Sequence, residues 1–119
     1  MSTVDTCTTP EDGWGLVHHF LGNILLTVRL VVGDKEPGWE SVVADRKAKL
    51  VSHLEKIAKR MSNYGHIKDS ENIGEICRMV KEYDLTDPAN IDVIHAKNLE
   101  YITAARAMKA KVQELLGNK

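Results

Sequence analysis

The stretch TPEDGWGLVHHFLGNILLTVRLVVGDKEPG, residues 9–38, holds a helix start, a long apolar run and a stop in one piece. Thr9 offers a hydroxyl to the amides left free at a helix start. Pro10 suits the first helical position, where its missing N–H costs nothing, and Glu11 and Asp12 place negative charge against the positive end of the helix dipole. The helix is expected from Pro10 to about Val32, with Gly33 taking the left-handed conformation that closes it and residues 34–38 turning the chain. Within it, Trp14, Leu16, Val17, Phe20, Leu21, Ile24, Leu25, Leu26, Val28, Leu30, Val31 and Val32 surround the axis instead of marking one stripe. A membrane span is not expected, because His18, His19, Asn23 and Arg29 fall inside the segment and a mid-span arginine is costly in lipid.

Working outward, the rest of the chain also reads as helix. Val43, Leu50, Leu54, Ile57 and Met61 recur at helical spacing and predict a second helix over 39–62, with Ala44, Val51 and Ala58 widening its face. After Asn63, Tyr64 and Gly65, a cap at Asp69 or Ser70 predicts a shorter third helix carrying Ile73, Ile76, Cys77, Val80 and Tyr83 and ending near Asp84. Thr86-Asp87-Pro88 repeats the cap-then-proline signal, and Ile91, Ile94, Leu99, Ile102, Ala105, Val112 and Leu116 predict a fourth helix, the longest, ending at Gly117. No segment alternates apolar and polar residues as a half-buried strand does.

The expectation is an all-α, bundle-like domain of four helices over 10–117, behind a flexible N-terminal segment at 1–9, with the apolar first helix at its centre. Three covering helices, one of them short, leave part of such a helix bare, so a homodimer or other homo-oligomer is expected. With 16 basic and 17 acidic side chains the chain has a net charge of -1, which lacks the positive field of general nucleic-acid or anionic-membrane binders. Neither of the two cysteines, Cys7 and Cys77, sits in a Cys-x-x-Cys pair, and residues 1–9 have no secretory-signal pattern, so a reduced cytoplasmic setting is expected.

Chemistry-bearing residues are scattered. His18, His53 and His95 fall on three different helices. Helical metal sites, however, use Glu-x-x-His pairs on facing helices, and Asp92 with His95 is the single near match, so no metal or other cofactor is expected. Helix 2 sets Arg46, Lys47, Lys49, Lys56, Lys59 and Arg60 against Glu40, Asp45 and Glu55, a basic face that is either solvated, paired in part with Glu71, Glu75, Glu82 and Asp84, or a dock for phosphate or an acidic partner. The turn before Pro88 suits a helix-turn-helix, but its recognition position holds Asp92 and no arginine, so DNA reading is not expected.

The string His19-Phe20-Leu21-Gly22-Asn23-Ile24-Leu25 resembles the phospho-accepting box of one class of sensor histidine kinases. That resemblance covers seven residues, lacks the proline and second asparagine of the box, and implies His19 as the phosphoryl acceptor of a module without its own nucleotide-binding domain. The same residues are accounted for as core flanked by histidines, which is the preferred reading. No nucleophile elbow or phosphate-cradling loop is present, so an enzyme is not the expectation. The leading expectation is a non-catalytic interaction protein, an adaptor or an inhibitor of the kind phages and other mobile elements encode. It would bind another protein through helix 1 or the basic face of helix 2, with His18, His19, Arg29, Arg46, Lys49, Lys56 and Arg60 as the candidate contacts. Phosphotransfer at His19 or His18, and binding of a small anion near Arg29 and the helix 2 lysines, are the alternatives.

Overall fold

The computed structural model describes residues 7–117, and the expectation for residues 1–6 lies outside them. Four helices follow one another: α1 (Pro10–Asp34), α2 (Trp39–Asn63), α3 (Ile67–Glu82) and α4 (Pro88–Gly117), with no strand among the described residues. Each runs antiparallel to the one before. Arg60 of α2 reaches Cys7 ahead of α1, Ser70 of α3 reaches Ala58 of α2, and Arg29 and Glu11 of α1 reach Asp92 and Lys109 of α4. The all-α, four-helix domain read from the sequence is therefore the fold.

The core lies where the four apolar stripes meet. Val17, Leu21, Leu25 and Val28 of α1 close on Leu50, Leu54, Ile57 and Met61 of α2, on Ile73, Ile76 and Val80 of α3, and on Ile91 and Ile94 of α4, all buried. Removing this much apolar surface from water is the main force holding the helices together. Polar ties fix the end of the bundle where α1 begins. The Trp14 indole N–H donates to Asp69 at 2.8 Å, and Arg60 donates through Nε and Nη2 to the carbonyl of Cys7, itself buried.

The helix ends depart from the sequence reading in instructive ways. Thr9 caps α1 as expected, accepting from the Asp12 amide at 3.1 Å. At the other end, Gly33 stays helical and Lys35 takes the left-handed conformation (φ 49°), its amide bonded to the Val31 carbonyl. α2 ends in a Schellman arrangement: Gly65 (φ 84°) donates to Ser62, and His66 donates to Met61. α3 starts at Ile67, ahead of the expected cap, because the side chains of Asp69 and Ser70 are spent on Trp14 and on the Ala58 carbonyl. The cap-then-proline signal before α4 is met by Asp87, which accepts from the first free amide, that of Ala89, while Thr86 folds back onto Asp84.

In α4, Asn98 and not Leu99 enters the core, because 94, 98 and 102 fall four residues apart on one line and Leu99 lies about 100° round from Asn98. Ala44, expected to widen the face of α2, is exposed. From Arg106 to Gly117 every residue of α4 is exposed; Lys109 still reaches Glu11 of α1, and beyond it the helix outruns its neighbours. This overhang contributes to a molecule 62 Å long and about 25 Å wide.

Candidate functional site

α1 is wrapped on its core side and both flanks, and its outer side is bare. Gly15, His19, Gly22, Leu26 and Gly33 follow one line there, with Leu30 beside it, and Leu26 and Leu30 are 55% and 60% exposed. The three glycines offer no side chain, so the two leucines stand as a ridge on a smooth helix. By length and composition α1 is also apolar enough to cross a membrane. The His19 ring shares this face, 3.2 Å from the Asn23 amide nitrogen and edge-on to Phe20.

The α2 flank of this ridge is basic. Arg46, Lys49, His53, Lys56 and Arg60 follow one another three or four residues apart, so they share one line along α2 on its α1 side. The His53 ring stacks on Phe20 of α1 with centroids 4.1 Å apart and planes 1° from parallel. Partial burial pushes its pKa below the usual histidine value, and the charges of Lys56 and Lys49 push the same way. Lys49 also meets Asp45 at 3.3 Å, and the Arg46 Nε is buried without a hydrogen-bond acceptor. The acids of α3 do not neutralise this row. Glu75 and Glu82 are engaged by Arg78 on their own helix, and the hydrogen bond from Arg78 holds the Glu75 carboxyl below its ordinary range. The cross-helix pair between α2 and α3 is Lys81 with Glu55, at 3.7 Å.

The α4 flank is different. Arg29 pairs with Asp92 at 2.6 Å and so lies on the far side of α1 from the α2 lysines, which keeps the two halves of the expected anion site apart within one chain. His95 sits beside this pair, its pKa lowered by burial and then by Arg29, with Asp92 opposing and His18 adding to the fall. His18 approaches Asn98, Nδ1 to Nδ2 3.4 Å, and the Asn98 side chain, 1% exposed, leaves its Oδ1 without a donor. His18 and His95 therefore belong to the α1–α4 seam and His53 to the α1–α2 seam. No group of three or more histidine, cysteine, aspartate or glutamate side chains among the described residues is placed to hold a metal ion.

Of the candidate contacts, the bundle thus brings Arg46, Lys49, Lys56 and Arg60 into one row next to the ridge and His19, and sets His18 and Arg29 on the opposite flank. Shallow furrows between α2 and α3, by Glu55 and Cys77, and between α3 and α4, by Met79 and Tyr83, lie on the other side of the bundle. Sequence reasoning missed the overhang of α4, where Met108 (64% exposed), Val112, Leu115 (62%) and Leu116 face no other helix. The signal available was length: a 30-residue helix cannot be covered end to end by one of 16. No family model matches the chain, and no curated protein or solved structure is similar to it beyond chance.

Proposed function

We propose that the protein is a non-catalytic interaction protein, an adaptor or inhibitor working in the cytoplasm as a homo-oligomer, which holds an acidic amphipathic segment of another protein along α1. The observation that carries this reading is the adjacency of two surfaces. The exposed Leu26–Leu30 ridge of α1 runs beside the basic row of α2, and the Phe20–His53 stack joins them. A ridge of bare leucines gains by being covered, and a line of cations beside it selects for carboxylates at the rim and speeds encounter with them. The glycines at 15, 22 and 33 let a partner backbone come close.

The test is a photoreactive residue in place of Leu30, introduced in cells that make the protein. The expected result is a discrete adduct with another protein, weakened by Lys49→Glu with Lys56→Glu and absent when the probe replaces Glu71 on α3. Equal labelling from both positions, or none from Leu30, overturns the reading. One observation favours a second reading: the His19 ring stands on the solvent side of α1, within reach of a phosphodonor. Acid-labile phosphate that appears with a small-molecule phosphodonor, persists in His18→Gln and is lost in His19→Gln would establish it.

A further inference from the structure

We infer that α4 is a detachable strap, which undocks as a unit from α1, α2 and α3 while these stay packed as a three-helix core. Docked, it covers the seam side of α1; released, it leaves α1 bare on a second side. The inference goes beyond the proposed function and does not rest on the outer face of α1.

The first ground is what each helix takes out of water. α3, with 16 residues, buries Ile73, Ile76, Cys77, Met79 and Val80, and α2 buries Val43, Leu50, Leu54, Ile57 and Met61. α4 has 30 residues and buries Ile91, Ile94, Asn98 and Ile102. The longest helix therefore brings the fewest buried apolar side chains, three isoleucines, helped by the half-buried Tyr101, whose ring stands 5.8 Å from that of Trp14. Apolar burial is the main force that docks one helix on others, and α4 has the least of it.

The second ground is the polar content of its seam. Asn98 sits in the middle of the docking stripe with its Oδ1 stripped of water and given no donor, and its Nδ2 reaches His18 at 3.4 Å. Undocking returns that amide to water, so the residue at the centre of the seam favours release. The ion pairs that tie α4 to α1, Asp92 with Arg29 and Lys109 with Glu11, are both exposed, where water and salt screen them. The other helices are joined by partly buried hydrogen bonds. The Trp14 indole donates to Asp69 at 2.8 Å between α1 and α3, and the Ser70 hydroxyl donates to the Ala58 carbonyl at 2.7 Å between α3 and α2. Within the described residues α4 joins the other helices through one connection, 83–87, so its release pulls no other helix out of place.

The experiment is amide hydrogen exchange of the full chain at pH 7.5, read residue by residue by NMR, in the parent, in Ser70→Ala and in Asn98→Leu. In the parent, the amides of residues 94–102 should be at least about tenfold less protected than those of Leu54, Ile57, Ile76 and Val80. Ser70→Ala removes a bond that survives in the opened form. It should lower protection at those four α2 and α3 positions by about fivefold and leave 94–102 unchanged. Asn98→Leu should raise protection at 94–102 by about tenfold. Equal protection of the two sets in the parent, a common fall in Ser70→Ala, or no gain in Asn98→Leu would overturn the inference. None of these results touches the Leu30 adduct on which the interaction reading stands.

Discussion

The ring of Phe20 lies flat on the ring of His53, 4.1 Å between centroids and 1° between planes, and makes the α1–α2 seam sensitive to protons. A neutral imidazole stacks there with part of its surface out of water. Burial disfavours the protonated ring most, and that ring would also face Lys56 and Lys49 as a third cation, so its pKa falls in the folded chain. His95, half-buried beside Arg29 and His18, shifts the same way, with Asp92 opposing. A histidine whose folded pKa lies below the ordinary 6.5 binds fewer protons folded than unfolded. Its contribution to stability is therefore complete above 6.5 and is lost as the pH falls through that value toward the folded pKa. The melting temperature should fall between about pH 7.5 and pH 5, and the slope should be shallower in His53→Phe and shallower still with His95→Gln added. A flat parent profile would refute the account.

Lys35 is the one described residue other than glycine with a positive φ, 49°, and it holds that conformation to close α1. A side chain there strains against its own carbonyl, and glycine does not. Lys35→Gly should therefore stabilise the fold by about 1 kcal/mol, seen as a rise of roughly 3–5 °C in the thermal midpoint.

How far the fold was legible follows from the same helix ends. The 3.6-residue stripes of α2 and α3 and the proline-led starts of α1 and α4 are local signals, and local signals place helices well. A signal fails where a side chain has a better use elsewhere. Asp69 and Ser70 look like caps until Trp14 and the Ala58 carbonyl claim them, and Gly33 looks like a stop although the chain closes two residues on. The basic residues of α2 were legible as an excess of charge. Their alignment beside Leu26 and Leu30 was not, because it depends on which face of an all-round apolar helix the other three leave bare.

The glycines of α1 divide into two kinds, and substitution should separate them. Gly22 and Gly15 have open space where a Cβ would be, so Gly22→Ala should add about 0.5–1 kcal/mol by restricting the unfolded chain and favouring helix. At Gly13 a Cβ would come within 2.8 Å of Met61 Sδ and 3.3 Å of its Cγ. Met61 is fully buried and has little room to yield. Gly13→Ala should lose about 1 kcal/mol despite the gain in helix propensity, and Met61→Leu in the same chain should recover part of it. Chemical denaturation of the three variants decides the matter. Equal effects at positions 13 and 22 would mean that the α1–α2 contact is looser than described.

Asn98 is the least comfortable member of the core. Its amide nitrogen makes one long contact, 3.4 Å to His18, and its Oδ1 makes none, although the side chain is buried between Ile94 and Ile102 of its own helix and the body of the bundle. An acceptor stripped of water and given nothing in return costs about 1–3 kcal/mol, whereas an apolar side chain of similar length at that point would gain contact with the surrounding leucines and isoleucines. Asn98→Leu should therefore stabilise the protein by about 1–2 kcal/mol, and Asn98→Asp, which adds a buried charge without a partner, should destabilise it by more than that. The discriminating measurement is the denaturation midpoint of the two variants at one pH above 7, where His95, its pKa lowered by burial, is neutral. If Asn98→Leu proved less stable than the parent, the tie to His18 would be worth more than its length suggests.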